Sequence, residues 1–234
     1  VLATRKGKAK DGSDAEVYVR ELCRHCADPA CYSVCLVGAF HKTPEGAVVY
    51  SNKKCIGCRY CMQACPFFVP KYEWKSVYPD VVKCNLCYEN RVSKGLPTAC
   101  SEACEEMGIG ATTFGDYDEI VAEAKKRIAE DPDTYVDKIY GLTEVGGTTV
   151  LYISSVPFED LGFRNAQRDE KTTRAGITDE PMPRLTWNAL SKVPNVIGVG
   201  AVLLGGIWWI TNRRHEVEQA DAANHNDSNS QNEG

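Results

Sequence analysis

No G-x-G-x-x-G follows a candidate strand, and no phosphate-cradling glycine loop occurs in the 234 residues, so nothing supports flavin or nicotinamide binding. Positive charge is not in surplus. Twenty-seven Lys and Arg face 32 Asp and Glu, a net charge of −5, which gives no reason to expect a nucleic-acid partner. Large aliphatic residues are scarce between Cys23 and Cys104, and a segment that poor builds little core by hydrophobic burial alone. Charge is missing altogether from Val193 to Ile210, and cysteine from everything outside Cys23 to Cys104. That last absence argues against a disulfide framework, which would scatter its cysteines along the chain. Val1 is not an initiator Met, and no charged-then-apolar signal stands before it. Either a processing cut or an internal start of a longer protein is the expectation.

The twelve cysteines that are present form three tetrads: Cys23-Cys26-Cys31-Cys35, Cys55-Cys58-Cys61-Cys65 and Cys84-Cys87-Cys100-Cys104. The middle tetrad reads C-x2-C-x2-C-x3-C-P, ending in Pro66. That is the ligand run of bacterial ferredoxins, in which the fourth Cys serves a different cluster from the first three. Thiolate is the soft ligand that iron–sulfur chemistry selects, and two residues between successive cysteines let one loop wrap three corners of a cube. Gly57, inside the loop, takes backbone angles that a side chain disfavours and lets amide N–H groups approach sulfur. Cys65-Pro66 marks the exit, because Pro disfavours helix at the residue before it.

The crossover rule groups Cys23, Cys26, Cys31 and Cys65 around one [4Fe–4S] cluster (site A), and Cys55, Cys58, Cys61 and Cys35 around a second (site B). The third tetrad has no partner run. Cys84, Cys87, Cys100 and Cys104 either close a third cluster by themselves or lack a fourth run upstream. Structural zinc in an interaction module is the competing reading. It explains this third tetrad moderately well and the middle run badly. His25 and His41 flank the ligand loops and are expected at the surface, not as ligands. Arg24, Arg59 and Lys83 adjoin ligands, where positive charge raises a cluster's potential, although solvated surface is the default expectation.

Short β-like stretches precede the tetrads at Val17–Val19, Val48–Tyr50 and Val81–Val82, and the unit recurs roughly every 30 residues. Pro44-Glu45-Gly46 is expected to separate the first two units, Lys6 to Asp14 to be a loop, and Ala111 to Phe114 to be a closing strand. Asp116 reads as the N-cap of a helix with Glu119 in the capping-box position, and Asp131-Pro132 ends it. Thr148 to Ser154 reads as a strand, and Pro157 to Pro183 as an extended polar segment. The uncharged run Val193 to Ile210 spans roughly 27 Å as a helix, adequate for a bilayer core. Trp208 and Trp209 suit one interface, and Arg213-Arg214 follow, which places the polar tail in the cytoplasm and the cluster domain in a bacterial periplasm. A soluble ferredoxin carrier is argued against by the same run. The organisation expected is a ferredoxin-like cluster domain over 1–115, a helix, strand and docking segment over 116–190, a transmembrane helix over 191–212 and a disordered tail over 213–234.

The runs C-R-H-C-A-D-P-A-C-Y-S-V-C, C-I-G-C-R-Y-C-M-Q-A-C-P and K-C-N-L-C…G-L-P-T-A-C-S-E-A-C resemble the four-cluster iron–sulfur subunits of bacterial respiratory oxidoreductases. With Y-G-L-T-E-V-G-G-T-T-V-L-Y-I-S-S-V-P-F-E-D-L-G-F and one C-terminal span, the chain looks most like the hydrogenase-2-type subunit. That resemblance implies an α+β fold of tandem ferredoxin-like modules, small and stapled by [4Fe–4S] clusters, plus one transmembrane helix at the bacterial inner membrane. It implies electron relay, without substrate catalysis in this subunit, between a periplasmic catalytic subunit of nickel–iron hydrogenase type and an integral membrane quinone-reactive subunit. A molybdopterin oxidoreductase such as formate dehydrogenase is the alternative partner. The family's first Cys run and its export signal are not in this sequence, and Leu36 and Glu105 stand where Pro often follows the last Cys of a run. By family pairing, Cys84, Cys87 and Cys100 then await a fourth ligand, and Cys104 serves another cluster.

Overall fold

The computed structural model describes residues 2–76, 80–164 and 176–231. Two compact units divide the chain, Val1–Leu185 and Thr186–Gly234. In the first, a hairpin, a cysteine loop and a short helix succeed one another three times.

Strands β1 (Leu2–Lys8) and β2 (Asp14–Arg20) pair antiparallel from Leu2↔Arg20 to Lys8↔Asp14. The stretch from Lys6, expected to be a loop, therefore continues a strand as far as Lys8. The turn is confined to the residues around Gly12, where the Asp11 carboxylate accepts from the Ser13 amide at 2.9 Å. Polar side chains hid this strand because most of β1 faces solvent. Helix α1 (Ala30–Ser33) follows the first loop, then strands β3 (Phe40–Lys42) and β4 (Val48–Tyr50). Pro44-Glu45-Gly46 joins these two strands rather than separating units. The Gly46 amide closes the turn on the Thr43 carbonyl at 3.0 Å, with Gly46 at φ 87°. Helix α2 (Tyr60–Ala64) stops at Cys65, whose ψ of 117° is the extended value that Pro66 imposes. Strands β5 (Lys71–Tyr72) and β6 (Val81–Val82) form the third hairpin, and helix α3 (Ala99–Glu106) the third helix.

Helix α4 (Tyr117–Glu130) begins where its cap predicts, the Asp116 carboxylate accepting from the Asp118 amide, and ends at Asp131. Two expected strands are not formed. Ala111 to Phe114 is a bend with no partner in any of the three two-stranded sheets. Thr148 to Ser154 makes only the single bridges Cys26↔Thr148 and Tyr140↔Tyr152. Its amides are taken by a loop instead of a sheet: Thr149 donates to the His25 carbonyl and Val150 to that of Arg24, both at 3.1 Å. This segment is thus a strap across the first cysteine loop. Of the polar stretch Pro157 to Pro183, residues 165–175 lie outside the described residues.

The largest apolar cluster is built partly of ligand candidates: Cys31 and Cys61 pack with Phe40, Val48, Tyr72 and Val81. Smaller clusters join Val19 to Val156 and Leu161, and Ala47 and Val49 to Leu86. After helix α5 (Met182–Leu190), the second unit is dominated by helix α6 (Val193–Gln231). The stretch Met182–Gln219 is long and apolar enough to cross a membrane, with a mean hydropathy of 1.7 over its most apolar window and none of that window buried. Helical backbone continues through the polar residues after 213, where composition predicts disorder. Arg, Glu, Gln and Ala favour helix as far as residue 223, and local pairs add to it, among them Arg213 with Glu216 at 3.3 Å.

Candidate functional site

His25, Gly57 and Leu86 stand third in the three C-x-x-C loops, and all are left-handed, at φ 51°, 71° and 58°. That conformation turns each amide back on the first sulfur. The amide nitrogens of Gly57 and Leu86 both lie 3.4 Å from the Sγ of Cys55 and Cys84, and the His25 amide donates to Cys23. Glycine is thus not the general requirement its presence at 57 suggests, since His and Leu serve elsewhere at about 1–2 kcal/mol of backbone cost. Gly57 meets a second demand, because a Cβ there would sit 2.5 Å from the Tyr72 hydroxyl. The fourth ligands repeat a shape too. The Ala39 amide lies 3.1 Å from Cys35 Sγ after left-handed Gly38, and amides of Phe67, Phe68 and Val69 donate toward Cys65, with Phe68 left-handed.

Thiols from different runs meet. Burial, then the neighbouring Cys23, Cys65 and Cys31, pushes the Cys26 thiol well up; burial, then Cys23 and Cys65, pushes Cys31 up to about 12. Cys23, Cys26, Cys31 and Cys65 therefore share one place. Burial, then Cys55 and Cys58, with Cys35 also acting, pushes Cys61 up to about 11. Cys35, Cys55, Cys58 and Cys61 line one hollow, walled by Phe40, Tyr72 and Val81. In the third tetrad, burial raises the Cys84 thiol, which also feels Cys23 and Cys100. Burial acts to raise Cys100 as well, yet hydrogen bonds from the Thr98 hydroxyl, at 3.3 Å, and the Arg20 guanidinium hold it below its ordinary value. Cys87 is left-handed, and Cys104 is buried one helical turn after Cys100, as Cys35 follows Cys31 and Cys65 follows Cys61.

All twelve thiols are free. Among the described residues, no three His, Cys, Asp or Glu side chains converge as a single metal ion would need. Thiols buried together resist ionising, and coordination to a cationic centre reverses that by deprotonating them. Four thiols a site, amides aimed at sulfur and apolar walls fit a [4Fe–4S] group in sites A and B.

Two neighbours of the ligands are not where the sequence places them. His25 is fully buried; the Val48 amide donates to its Nδ1 at 2.8 Å, so the ring carries its proton on Nε2. Burial, with Lys83 and Lys42 adding to it, lowers its pKa to about 3 and keeps the ring neutral. Arg24 is also buried, its guanidinium 4.0 Å from the Tyr152 ring centroid and 4.8 Å from that of Phe163. The reason is the strap, which no local pattern around Cys23 announces. Arg59 and His41 are exposed as expected, Arg59 lying 4.3 Å from the Trp74 ring centroid. Lys42, Arg20 and Thr98 were not singled out by the sequence; they lie on β3, on β2 and ahead of α3, and ligand spacing marks only the cysteines.

Residues 15–116 match the 4Fe–4S dicluster domain family. The hydrogenase-2 operon protein HybA of Escherichia coli O157:H7 is 40% identical over 169 residues, 62% of this chain and 51% of that protein. The B subunit of the anaerobic dimethyl sulfoxide reductase of Haemophilus influenzae is 42% identical over 103 residues, 44% of this chain and 47% of that subunit. The Hdr-like menaquinol oxidoreductase iron–sulfur subunit 1 of Archaeoglobus fulgidus is 35% identical over 159 residues, covering 54% and 59%. The chain spans about half the length of the curated relatives it matches.

Proposed function

Taking as premise that residues 15–116 are a 4Fe–4S dicluster domain and that the chain is related to the iron–sulfur subunits of respiratory oxidoreductases, we propose that it is the electron-transfer subunit of such a complex. It relays electrons between a catalytic subunit of nickel–iron hydrogenase type and a quinone-reactive membrane subunit. The observation that carries this reading is the meeting of thiols from two different runs, twice over. Cys23, Cys26, Cys31 and Cys65 hold one [4Fe–4S] group and Cys55, Cys58, Cys61 and Cys35 the other, each supplying storage of one electron. The residues themselves place the sulfurs, donate amide hydrogen bonds to them and exclude water with Phe40, Tyr72 and Val81.

The third tetrad is half of a second, tandem ferredoxin-like module. Cys84, Cys87 and Cys100 supply three ligands there, and Cys104 belongs to the neighbouring centre. Its place one turn after Cys100, matching Cys35 and Cys65, supports this. The segment 191–212 anchors the protein in a bacterial inner membrane as a single span, with the cluster domain, residues 1–115, on the periplasmic side. The likeness to HybA favours a hydrogenase partner, and that to the dimethyl sulfoxide reductase subunit favours, as a second reading, a different reductase such as a molybdopterin enzyme.

Iron and acid-labile sulfide analysis of the membrane-extracted protein tests the assignment. Sulfide in equal amount to iron, with brown absorbance, is the expected result, and zinc without sulfide overturns it. Cys100→Ser should lower the cluster count, while Cys104→Ser should leave it unchanged in these 234 residues. Equal loss from both would make the third tetrad self-contained.

A further inference from the structure

Two lysine ammonium groups lie beside site A with no carboxylate partner among the described residues. Lys42 Nζ donates to the carbonyls of His25 and Cys26, both at 2.9 Å, to that of Gly46 at 2.7 Å and to Thr149 Oγ1 at 3.1 Å. Lys83 Nζ donates to the carbonyls of Val48 and of Cys84, the latter at 2.8 Å. Every one of these acceptors is uncharged, so each lysine is held in place without being neutralised. Both are partly buried, where water and salt screen a charge weakly.

We propose that Lys42 and Lys83 hold site A at a higher reduction potential than site B, so that an electron reaching site B moves on to site A. This rests on the reading of sites A and B as [4Fe–4S] centres. Reduction adds one electron and one negative charge to a site while breaking no bond; the electron comes from the redox partner, or from dithionite in a titration. Fixed positive charge favours that addition. Lys83 acts on three thiols of site A, Cys23, Cys31 and Cys65, and Lys42 lies within electrostatic reach of Cys23, Cys26 and Cys31. Arg24 sits between two of the ligands, but its guanidinium is turned into the aromatic cage, and neutral His25 adds no charge. Site B is set differently. The Tyr50 hydroxyl faces its Cys55 with Asp80 beside it, and the cations that adjoin its ligands in the chain, Lys53, Lys54 and Arg59, are all exposed, Arg59 lying against Trp74. The sites are also adjacent, since the Cys31 thiol of A feels Cys61 of B.

A potentiometric titration followed by electron paramagnetic resonance, on the full-length protein with its clusters, decides the matter. Cys31→Ser identifies the midpoint that belongs to site A. In the unsubstituted protein that midpoint is expected above the one altered by Cys35→Ser, and the reverse order overturns the proposal. Lys42→Gln and Lys83→Gln should each lower the site A midpoint enough to change the oxidised-to-reduced ratio about tenfold at fixed potential, which is 59 mV for one electron. The site B midpoint should stay put, and Lys42→Arg and Lys83→Arg should restore site A. Unmoved midpoints at unchanged iron and sulfide content overturn the proposal. Should a Gln variant shed iron, the order of midpoints in the unsubstituted protein still decides. Absence of sulfide and of any resonance in that protein defeats the cluster reading itself, before any lysine is changed.

Discussion

At the scale of single residues, His25 shows that a ring between two proposed ligands, Cys23 and Cys26, can be structural. Its Nδ1 takes the Val48 amide and so ties the first cysteine loop to β4. His25→Ala leaves that buried amide unpaired and opens a cavity; a loss of about 1–3 kcal/mol is expected from the hydrogen bond alone, read from urea denaturation. The pH dependence has a definite sign. The folded-state pKa, about 3, lies below the ordinary 6.5, so the unfolded chain takes up the proton first. The contribution of the neutral ring is complete above about pH 6.5 and is lost as pH falls toward 3. The stability advantage over His25→Gln should therefore shrink between about pH 6.5 and pH 4.5; an advantage independent of pH in that window would contradict the buried neutral ring. None of this was legible near Cys23, because the groups that cover His25 and Arg24 come from β4 and from a strap more than a hundred positions later.

At the scale of elements, three hairpins each deliver a cysteine loop, and each loop uses one left-handed residue to aim an amide at sulfur. The β3–β4 turn has a tighter requirement. Gly46 is left-handed, and a Cβ there would meet both Thr149 Cγ2 and Oγ1 at 2.9 Å. Gly46→Ala should cost about 1–2 kcal/mol in backbone strain alone. It should also displace Thr149, whose hydroxyl donates to the His25 carbonyl at 2.9 Å, so stability and cluster retention should fall together. The second strand of each hairpin was readable from its Val and Tyr residues, but the first was not: β1 is mostly polar and exposed, and β3 and β5 are only three and two residues long. The expected strand at Thr148 to Ser154 failed for the opposite reason: its apolar β-branched residues serve a strap whose amides pair with the first loop. Within α6, Leu203→Arg should weaken membrane insertion by about 2.5–3.5 kcal/mol, measured by partition into the carbonate-resistant membrane fraction.

At the scale of the whole molecule, the apolar clusters of the first unit are small and the largest includes two of the proposed ligand cysteines, Cys31 and Cys61. Iron and sulfide should then act as staples. Stripping iron with an oxidant and a chelator is expected to abolish the cooperative thermal transition of the first unit, followed by circular dichroism, while the helical signal of α6 persists in detergent. An intact transition in the iron-free protein would show that its apolar packing suffices. The chemistry was determined by sequence alone, because thiol number and spacing along a short loop dictate what three adjacent ligands can wrap. So was the apolar span, because a run without charge needs no tertiary context to be apolar. Which cations remain unpaired beside the thiols and which ring stays neutral were decided only by the tertiary structure. Those properties depend on distance and burial, and the groups responsible, Lys42, Lys83 and the strap over Arg24 and His25, come together from segments the chain order keeps apart.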